Sequence, residues 1–241
     1  MTSEKLGLTS DDIFHTVQGE GRFVGVPSIF MRLSGCNLRC AWTNPDGSIT
    51  KCDTPYSSYE PEKNIQTVAE VADAITRIDC KHVVVTGGEP FMQRSLSVLI
   101  DFLVTAGRFL TVETNGTLYW NNPAQFMSIS PKLASSTYRE HPHYQRHDKA
   151  RVNREVLDLM IRNHDYQLKF VVNNAQDFDE IENLLGKLST VDDGKIYLMP
   201  QGVSNAQFDA KLPWIIEEAK KRNWNVTDRL HVRVWGAKRG V

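Results

Sequence analysis

From about residue 28 onward, short β-branched or aromatic runs alternate with segments whose apolar residues recur at helical spacing, and this rhythm most limits the fold. Strands are expected at 28–33, 82–86, 109–113, 126–130, 167–172, 195–199 and 230–235. Between the first two, Val68, Val71, Ala72 and Ile75 fall at i, i+3, i+4 and i+7, behind a Thr67/Glu70 capping box that marks a helix start. Leu96, Leu99, Ile100 and Leu103 mark a second helix, closed by Gly107. Ile181, Leu184, Leu185 and Leu188 mark another, and 214–221 one more. The strands read as apolar throughout, as in a parallel sheet covered by helices. Such repeated units imply an α/β fold, a partial (incomplete) TIM-like βα barrel. With no internal repeat or low-complexity tract, a single domain over 1–241 is expected.

The chemically unusual residues follow the expected strands. Cys36, Cys40 and Cys52 come after the first, Gly87-Gly88-Glu89-Pro90 after the second, and Glu113-Thr114-Asn115-Gly116 end the third. Ser130-Pro131-Lys132 end the fourth and Pro200-Gln201-Gly202 a later one. In a βα barrel all these ends open on one face, where active sites form.

Lys plus Arg number 28 against 29 for Asp plus Glu, so no global field would draw the chain to nucleic acid or an anionic membrane. No apolar run approaches the roughly 20 residues of a membrane span, and the polar start lacks a secretory segment; a cytoplasmic location is expected. In that reducing setting four cysteines do not suggest a disulfide scaffold. Three of them lie within seventeen residues, which points to a metal or cluster site. A structural zinc closes with four protein ligands, whereas a four-iron cluster can leave one iron open. A zinc loop completed by His15 or His82, or three ordinary thiols, is the alternative. Cys80 reads as a buried structural thiol. The polar stretch 133–152, with His141, His143 and His147 and no period, reads as a solvated loop or flap. Lys220, Lys221 and Arg222 suit a helix C-terminus and need no nucleic acid.

Gly35-Cys36-Asn37-Leu38-Arg39-Cys40-Ala41-Trp42 followed by Cys52-Asp53-Thr54 resembles the CxxxCxxC loop of the radical S-adenosylmethionine superfamily. An insertion at 43–51 separates the second and third cysteines; its Asn44-Pro45-Asp46-Gly47 turn would bring Cys52 back. Val17-Gln18-Gly19-Glu20-Gly21, Thr86-Gly87-Gly88-Glu89-Pro90, Glu113-Thr114-Asn115-Gly116, Ser130-Pro131-Lys132, Leu230-His231 and the ending Trp235-Gly236-Ala237-Lys238-Arg239-Gly240-Val241 extend the likeness. Together they resemble the 7-carboxy-7-deazaguanine synthases, from about residue 14 to 241. The resemblance implies a barrel of the radical SAM type and a carbon–nitrogen lyase. Its reaction would contract 6-carboxy-5,6,7,8-tetrahydropterin to 7-carboxy-7-deazaguanine with loss of ammonia, on the route to queuosine and related 7-deazapurines. It also implies a 4Fe-4S cluster, recycled S-adenosylmethionine, Mg2+, a homodimer, and an electron donor such as flavodoxin or ferredoxin.

The same resemblance assigns residues. Cys36, Cys40 and Cys52 would hold three irons, leaving the fourth to S-adenosylmethionine. Gly88, Ser130, Pro131, Lys132, Met199, Pro200, Gln201 and Gly202 would contact S-adenosylmethionine, with the Lys132 ammonium suited to its carboxylate and Gly87-Gly88 allowing close approach of its methionine end. Thr54 would bind magnesium beside the substrate; otherwise it caps a turn. Val17, Gln18, Gly19 and Thr86 would line the pterin, Gln18 offering both a donor and an acceptor. Arg32 would fork onto a carboxylate rather than form a surface ion pair. Val241 would accept from the pterin through its carboxylate, where an unassisted tail would fray, with His231 on the same side. Two other readings compete: an activase acting on a partner's glycine, and a non-catalytic zinc-stabilised binding module.

Overall fold

A long strand that the βα rhythm does not foreshadow, β1 (Lys5–Val17), starts the sheet and runs antiparallel to β2 (Pro27–Leu33). The structure, a computed structural model, describes residues 3–241. A hairpin, β3 (Ala41–Thr43) and β4 (Ile49–Lys51), follows, then α1 (Pro55–Ser58), β5 (Asn64–Thr67), α2 (Val68–Thr76), β6 (His82–Gly87) and α3 (Leu96–Thr105). The chain continues through β7 (Phe109–Thr114), β8 (Phe126–Ile129), α4 (Tyr144–Ala150), α5 (Arg154–Asn163) and β9 (Asp165–Val172). It closes with α6 (Gln176–Leu185), β10 (Ile196–Pro200), α7 (Asn205–Arg222), β11 (Asn225–Val226) and α8 (Leu230–Trp235).

The main sheet runs β11-β10-β9-β8-β7-β6-β2-β1-β5, parallel from β11 to β2, with β1 antiparallel to both its neighbours. It curls without closing. β5 and β11 remain edges, yet the segment after β1 meets the segment after β11: Leu230 N donates to Gly19 O (2.9 Å) and Gly21 N to Thr227 Oγ1 (2.7 Å). This is the incomplete βα barrel expected from the strand rhythm. Among the described residues no helix is long and apolar enough to cross a membrane.

The strands are not apolar throughout; they alternate. Val83 and Val85, Leu110 and Val112, Met127 and Ile129, Leu168 and Phe170 face the helices and join one core with Val71, Ile75, Leu99, Leu103, Leu157 and Ile181. The intervening residues, His82 and Thr86, Thr111 and Glu113, Ser128 and Ser130, Gln167 and Lys169, face the barrel interior, since successive side chains of a strand point to opposite sides. Several pair there: Gln167 Nε2 donates to Ser128 Oγ (2.8 Å), and His82 Nε2 lies 2.7 Å from Thr111 Oγ1. The interior is a polar lumen. α2 begins at the expected capping box, with Glu70 N donating to Thr67 Oγ1 (3.2 Å) and Thr67 N to Glu70 Oε2 (2.8 Å).

Two further expectations are corrected. Residues 230–235 form helix α8, not a strand, because β11 already occupies the sheet position beside β10. A short run such as LHVRVW satisfies either period. Within 133–152, α4 forms and His147 is buried against the cysteine loop: Arg39 N donates to its Nδ1 (3.1 Å), and its Nε2 lies 3.2 Å from Ser136 Oγ. Burial lowers the His147 pKa to about 4, so the ring is neutral and Nδ1 is free to accept. The insertion at 43–51 is a turn and the second strand of the hairpin, in which Cys52 N donates to Cys40 O (2.9 Å) and so returns the third thiol.

The end of β6 lies against the cysteine loop. Gly88 N donates to Leu33 O (3.1 Å), Glu89 N to Gly35 O (2.8 Å), and a Cβ on Gly88 would run into the Gly35 and Ser57 carbonyls. The glycine is therefore required by the chain's own packing, whatever a cofactor adds. Gly88→Ala is expected to destabilise the protein by about 1–3 kcal/mol and to lower iron retention. Thermal unfolding and iron analysis on the same sample measure both.

Candidate active site

Three thiols share one cavity of about 320 Å³ at the C-terminal mouth of the barrel. Cys36 and Cys40 lie on the loop after β2, and Cys52 follows the hairpin; Leu38, Cys40 and Trp42 bury together, with Cys36 and Cys52 packed against them. Burial pushes the Cys36 thiol up to about 11 and raises Cys40 and Cys52 as well, so thiolates here need a cationic partner such as iron. Lys132 is the nearby cation acting on Cys36 and Cys40, and its Nζ donates to Ser130 Oγ (2.8 Å). The loop is fastened to the turn after β7: Asn115 Nδ2 donates to Asn37 Oδ1 (2.9 Å), and Asn37 Nδ2 to Thr117 Oγ1 (2.8 Å).

The zinc alternative loses its fourth ligand. His82 sits at the opposite, N-terminal end of the barrel between Ser28 Oγ (2.9 Å) and Thr111 Oγ1, while His15 is exposed on β1. Among the described residues no three His, Cys, Asp or Glu side chains converge on a single-ion position. Thiols that line one cavity without meeting at a point suit a multi-iron cluster better than one tetrahedral ion.

Across the cavity lies a polar wall. Gln18 Nε2 donates to Glu113 Oε1 (3.0 Å), Thr86 Oγ1 donates to Glu113 Oε2 (2.7 Å), and Gln18 Oε1 accepts from Glu20 N (3.1 Å). Gln18 was expected to turn both functions toward the pterin; the protein already uses each once. Arg32 differs from its neighbours. Its guanidinium lies 5.7 Å from the Phe14 ring centre, and its Nε is buried without a hydrogen-bond partner among the described residues. Such a donor is costly unless something docks on it. Thr54 starts α1, yet its hydroxyl makes no capping bond; it lies 3.4 Å from Cys52 Sγ.

Beneath the wall runs a buried charge seam. Arg229 Nε donates to Glu20 Oε1 (2.8 Å), its Nη1 to Gly202 O (3.1 Å) and its Nη2 to Asp53, while Lys169 pairs with Glu20. Burial alone would raise the Glu20 carboxyl, but Lys169 and Arg229 outweigh it and hold the group well below the usual carboxylate range. Burial likewise works against the Arg229 charge, and Asp53 and Glu20 overcome it. A Cβ on Gly19 would strike the His231 ring and force it to shift.

Of the residues expected from the sequence, the cavity wall contains Val17, Gln18, Gly19, Arg32, Thr54, Thr86, Gly88, Ser130, Lys132, Met199, Pro200, Gln201, Gly202 and Val241 with the three cysteines; Pro131 is buried and does not reach it. Lys169, Arg229 and Tyr56 were missed as wall residues, as were Glu113 and Asn115 beyond their place in a motif. Lys169 had a signal: a lysine two residues after Gln167 in an otherwise apolar strand can be satisfied only on an inward polar face. Arg229 had none.

Residues 32–173 match the radical SAM superfamily model. The chain is 38% identical over 97% of its length, and 89% of the relative's, to the 7-carboxy-7-deazaguanine synthase of Rhodopirellula baltica. It is 37% identical over 95% of its length, and 90% of the relative's, to that of Halobacterium salinarum. The chain belongs to the 7-carboxy-7-deazaguanine synthase family, within the radical SAM superfamily. Its fold is similar to that of QueE from Escherichia coli (TM-score 0.70, 24% identity, 94% of this chain and 95% of that one). Streptococcus suis SuiB bound to S-adenosylmethionine shares the fold more loosely (TM-score 0.50, 11% identity, 80% of this chain and 48% of that one). A four-iron cluster and S-adenosylmethionine are the cofactors of the superfamily, and the thiol-lined cavity fits them. Cys52→Ala is expected to lose most of its iron and all turnover, whereas Cys80→Ser, whose thiol donates to Pro27 O (3.2 Å) away from the cavity, keeps both. Full iron stoichiometry in Cys52→Ala contradicts the ligand assignment.

Proposed function

We propose that this chain is a radical carbon–nitrogen lyase that contracts 6-carboxy-5,6,7,8-tetrahydropterin to 7-carboxy-7-deazaguanine with release of ammonia. Family membership supports the reaction, and one observation ties it to this cavity: Arg32, a cation with no carboxylate partner among the described residues, lines it together with the thiols and the Gln18–Glu113–Thr86 wall. A carboxylated heterocycle supplies the missing acceptor and places its ring against donors and acceptors suited to a pyrimidinone edge.

Cys36, Cys40 and Cys52 would hold the cluster. Gly88, Ser130, Pro131, Lys132 and the residues Met199, Pro200, Gln201 and Gly202 would hold S-adenosylmethionine, Pro131 from behind the wall. When bound, these cofactors supply the radical chemistry. The chain's own tasks are placement and exclusion of water. Lys132 offers an ammonium to the methionine carboxylate, held by Ser130. Arg32 anchors the substrate carboxylate. Gln18, Val17, Gly19 and Thr86 present the ring, and Glu113, fixed by Gln18 and Thr86, is an acceptor facing it. Val241, which also lines the cavity, adds a main-chain acceptor. Thr54, whose hydroxyl serves no cap, would give one oxygen to Mg2+, the substrate and water completing its shell.

The protein would work as one domain in the cytoplasm, as a homodimer, with an electron carrier such as flavodoxin or ferredoxin feeding the cluster. The glycine-activase reading leaves the Arg32 and Gln18 wall without a ligand, and is not favoured. Anaerobic turnover with S-adenosylmethionine, magnesium and the carboxytetrahydropterin, read by mass spectrometry, tests the proposal; absence of the deazapurine product from cluster-loaded protein rejects it.

Two substitutions probe the roles. Arg32→Gln is expected to raise KM for the pterin by about 10- to 100-fold, the worth of a charge-assisted contact, with S-adenosylmethionine affinity retained; an unchanged KM removes Arg32 from the substrate. Thr54→Ala is expected to weaken the magnesium response of turnover while leaving iron content intact, and a wild-type magnesium titration ends that assignment.

A further inference from the structure

Residues 236–241 cross the mouth of the cavity, lining it without helix or strand. Beyond the bond from Gly236 N to Val232 O, the backbone of this segment makes no hydrogen bond to the body among the described residues. Such a stretch samples many conformations and pays entropy whenever it must stay in one. One side chain fastens it. Arg239 Nε donates to Asp11 Oδ2 (3.0 Å) and Nη2 to Asp11 Oδ1 and to Ser10 Oγ (3.3 Å). Nη1 and Nη2 each donate to one oxygen of Glu62 (3.1 Å), and the guanidinium lies 3.5 Å from the centre of the Tyr56 ring.

Of the anchors Tyr56 lines the cavity, and Ser10, Asp11 and Glu62 hold the segment from outside it. Asp11 lies where the pairing of β1 with β2 shifts register between Leu8 and Ile13, an irregularity of the bulge kind that frees the strand locally from regular pairing. Tyr56 lies in α1, two residues beyond Thr54, and lines the cavity itself. Glu62 is already oriented by Ser10 N (2.7 Å), and the Arg239 hydrogen bond holds its carboxyl down to about 2. Two carboxylates converging on one guanidinium, with an aromatic face beneath, form a fork that only a planar, permanently charged group fills.

We propose that Arg239 is a positioning residue for the pterin: its clasp on Asp11 and Glu62 holds residues 236–241 across the cavity and so completes the substrate end. This rests on the reading above that the segment meets the pterin. Arg239 touches neither the thiols nor the wall that takes S-adenosylmethionine, so its effect falls on the substrate alone.

The test compares Arg239→Ala, Arg239→Lys and a variant shortened to end at Gly236, each with its cluster loaded. The readouts are KM and kcat for the carboxytetrahydropterin, S-adenosylmethionine affinity, iron content and ionic-strength dependence. Arg239→Ala is expected to raise KM about tenfold, to match the shortened variant, and to leave iron and S-adenosylmethionine affinity unchanged. Arg239→Lys recovers part of the loss, since an ammonium keeps the charge but not the fork. KM rises with salt more steeply in wild type than in Arg239→Ala, where only the contact of the substrate carboxylate with Arg32 is left to screen. If the shortened variant raises KM and Arg239→Ala does not, the clasp is overturned while the segment keeps its place in the site. If the shortened variant has wild-type KM, the reading of the segment fails and takes the clasp with it. Parallel loss of iron or S-adenosylmethionine affinity in Arg239→Ala also overturns the proposal.

Discussion

The open barrel depends on Arg229. A parallel sheet that curls but does not close leaves a gap between its first and last strands, and here the gap is bridged by a buried guanidinium reaching Glu20 after β1, Gly202 after β10 and Asp53 beside the third cysteine. Lys169 adds the second cation, so two positive and two negative groups balance across the seam. Burying charges is expensive, and removing one partner of such a set typically costs about 3–5 kcal/mol because the others are left uncompensated. What the seam gains is placement: the same arginine that ties the segment after β1 to the segments after β10 and β11 also sets the residue between Cys52 and Thr54.

Strand alternation then divides the molecule. Outward residues pack against helices in one apolar core, and inward residues make a polar lumen that deepens toward the thiols. The lumen has a single mouth because its N-terminal end is plugged. Phe23, in a short turn after β1, sits 4.8 Å from Phe126, 5.1 Å from His82 and 5.6 Å from Phe109, ring centre to ring centre. An aromatic floor excludes water from below, and the cysteine loop, the β6 turn and residues 236–241 surround the opening. Radical chemistry benefits from such enclosure, since stray solvent and side chains are the alternative reactants.

The cysteine loop has little secondary structure of its own beyond the hairpin, and its geometry is borrowed. His147 receives Arg39 N, Asn115 and Thr117 hold Asn37, and the Gly88–Glu89 backbone meets Leu33 and Gly35. Glu89 is the buried knot of that last contact, taking Thr114 Oγ1 (2.8 Å) and Asn115 N (2.8 Å); burial raises its carboxyl to about 7 despite those donors. Three strand ends are thereby fixed relative to the thiols before any cofactor binds, the preorganisation a cluster site needs.

What the amino-acid sequence determined by itself is whatever depends on near neighbours. The α2 capping box, the helical faces of α3 and α6, the turn inside the 43–51 insertion and the order of motifs after successive strands all rest on residues within a few positions of one another. From that order came the partial barrel and the convergence of the cysteines with Arg32, Ser130, Lys132 and Gly202 on one cavity. Tertiary structure alone decided the rest. Residues 230–235 took a helix because β11 held the strand position, and His147 was buried by a loop more than a hundred residues away. Arg229 found partners at Glu20 and Asp53 and Arg239 found them at Asp11 and Glu62, contacts spanning 176 to 228 positions that no local pattern encodes. Periodicity reports which side of an element is buried; it carries no information about which distant charge will be waiting there.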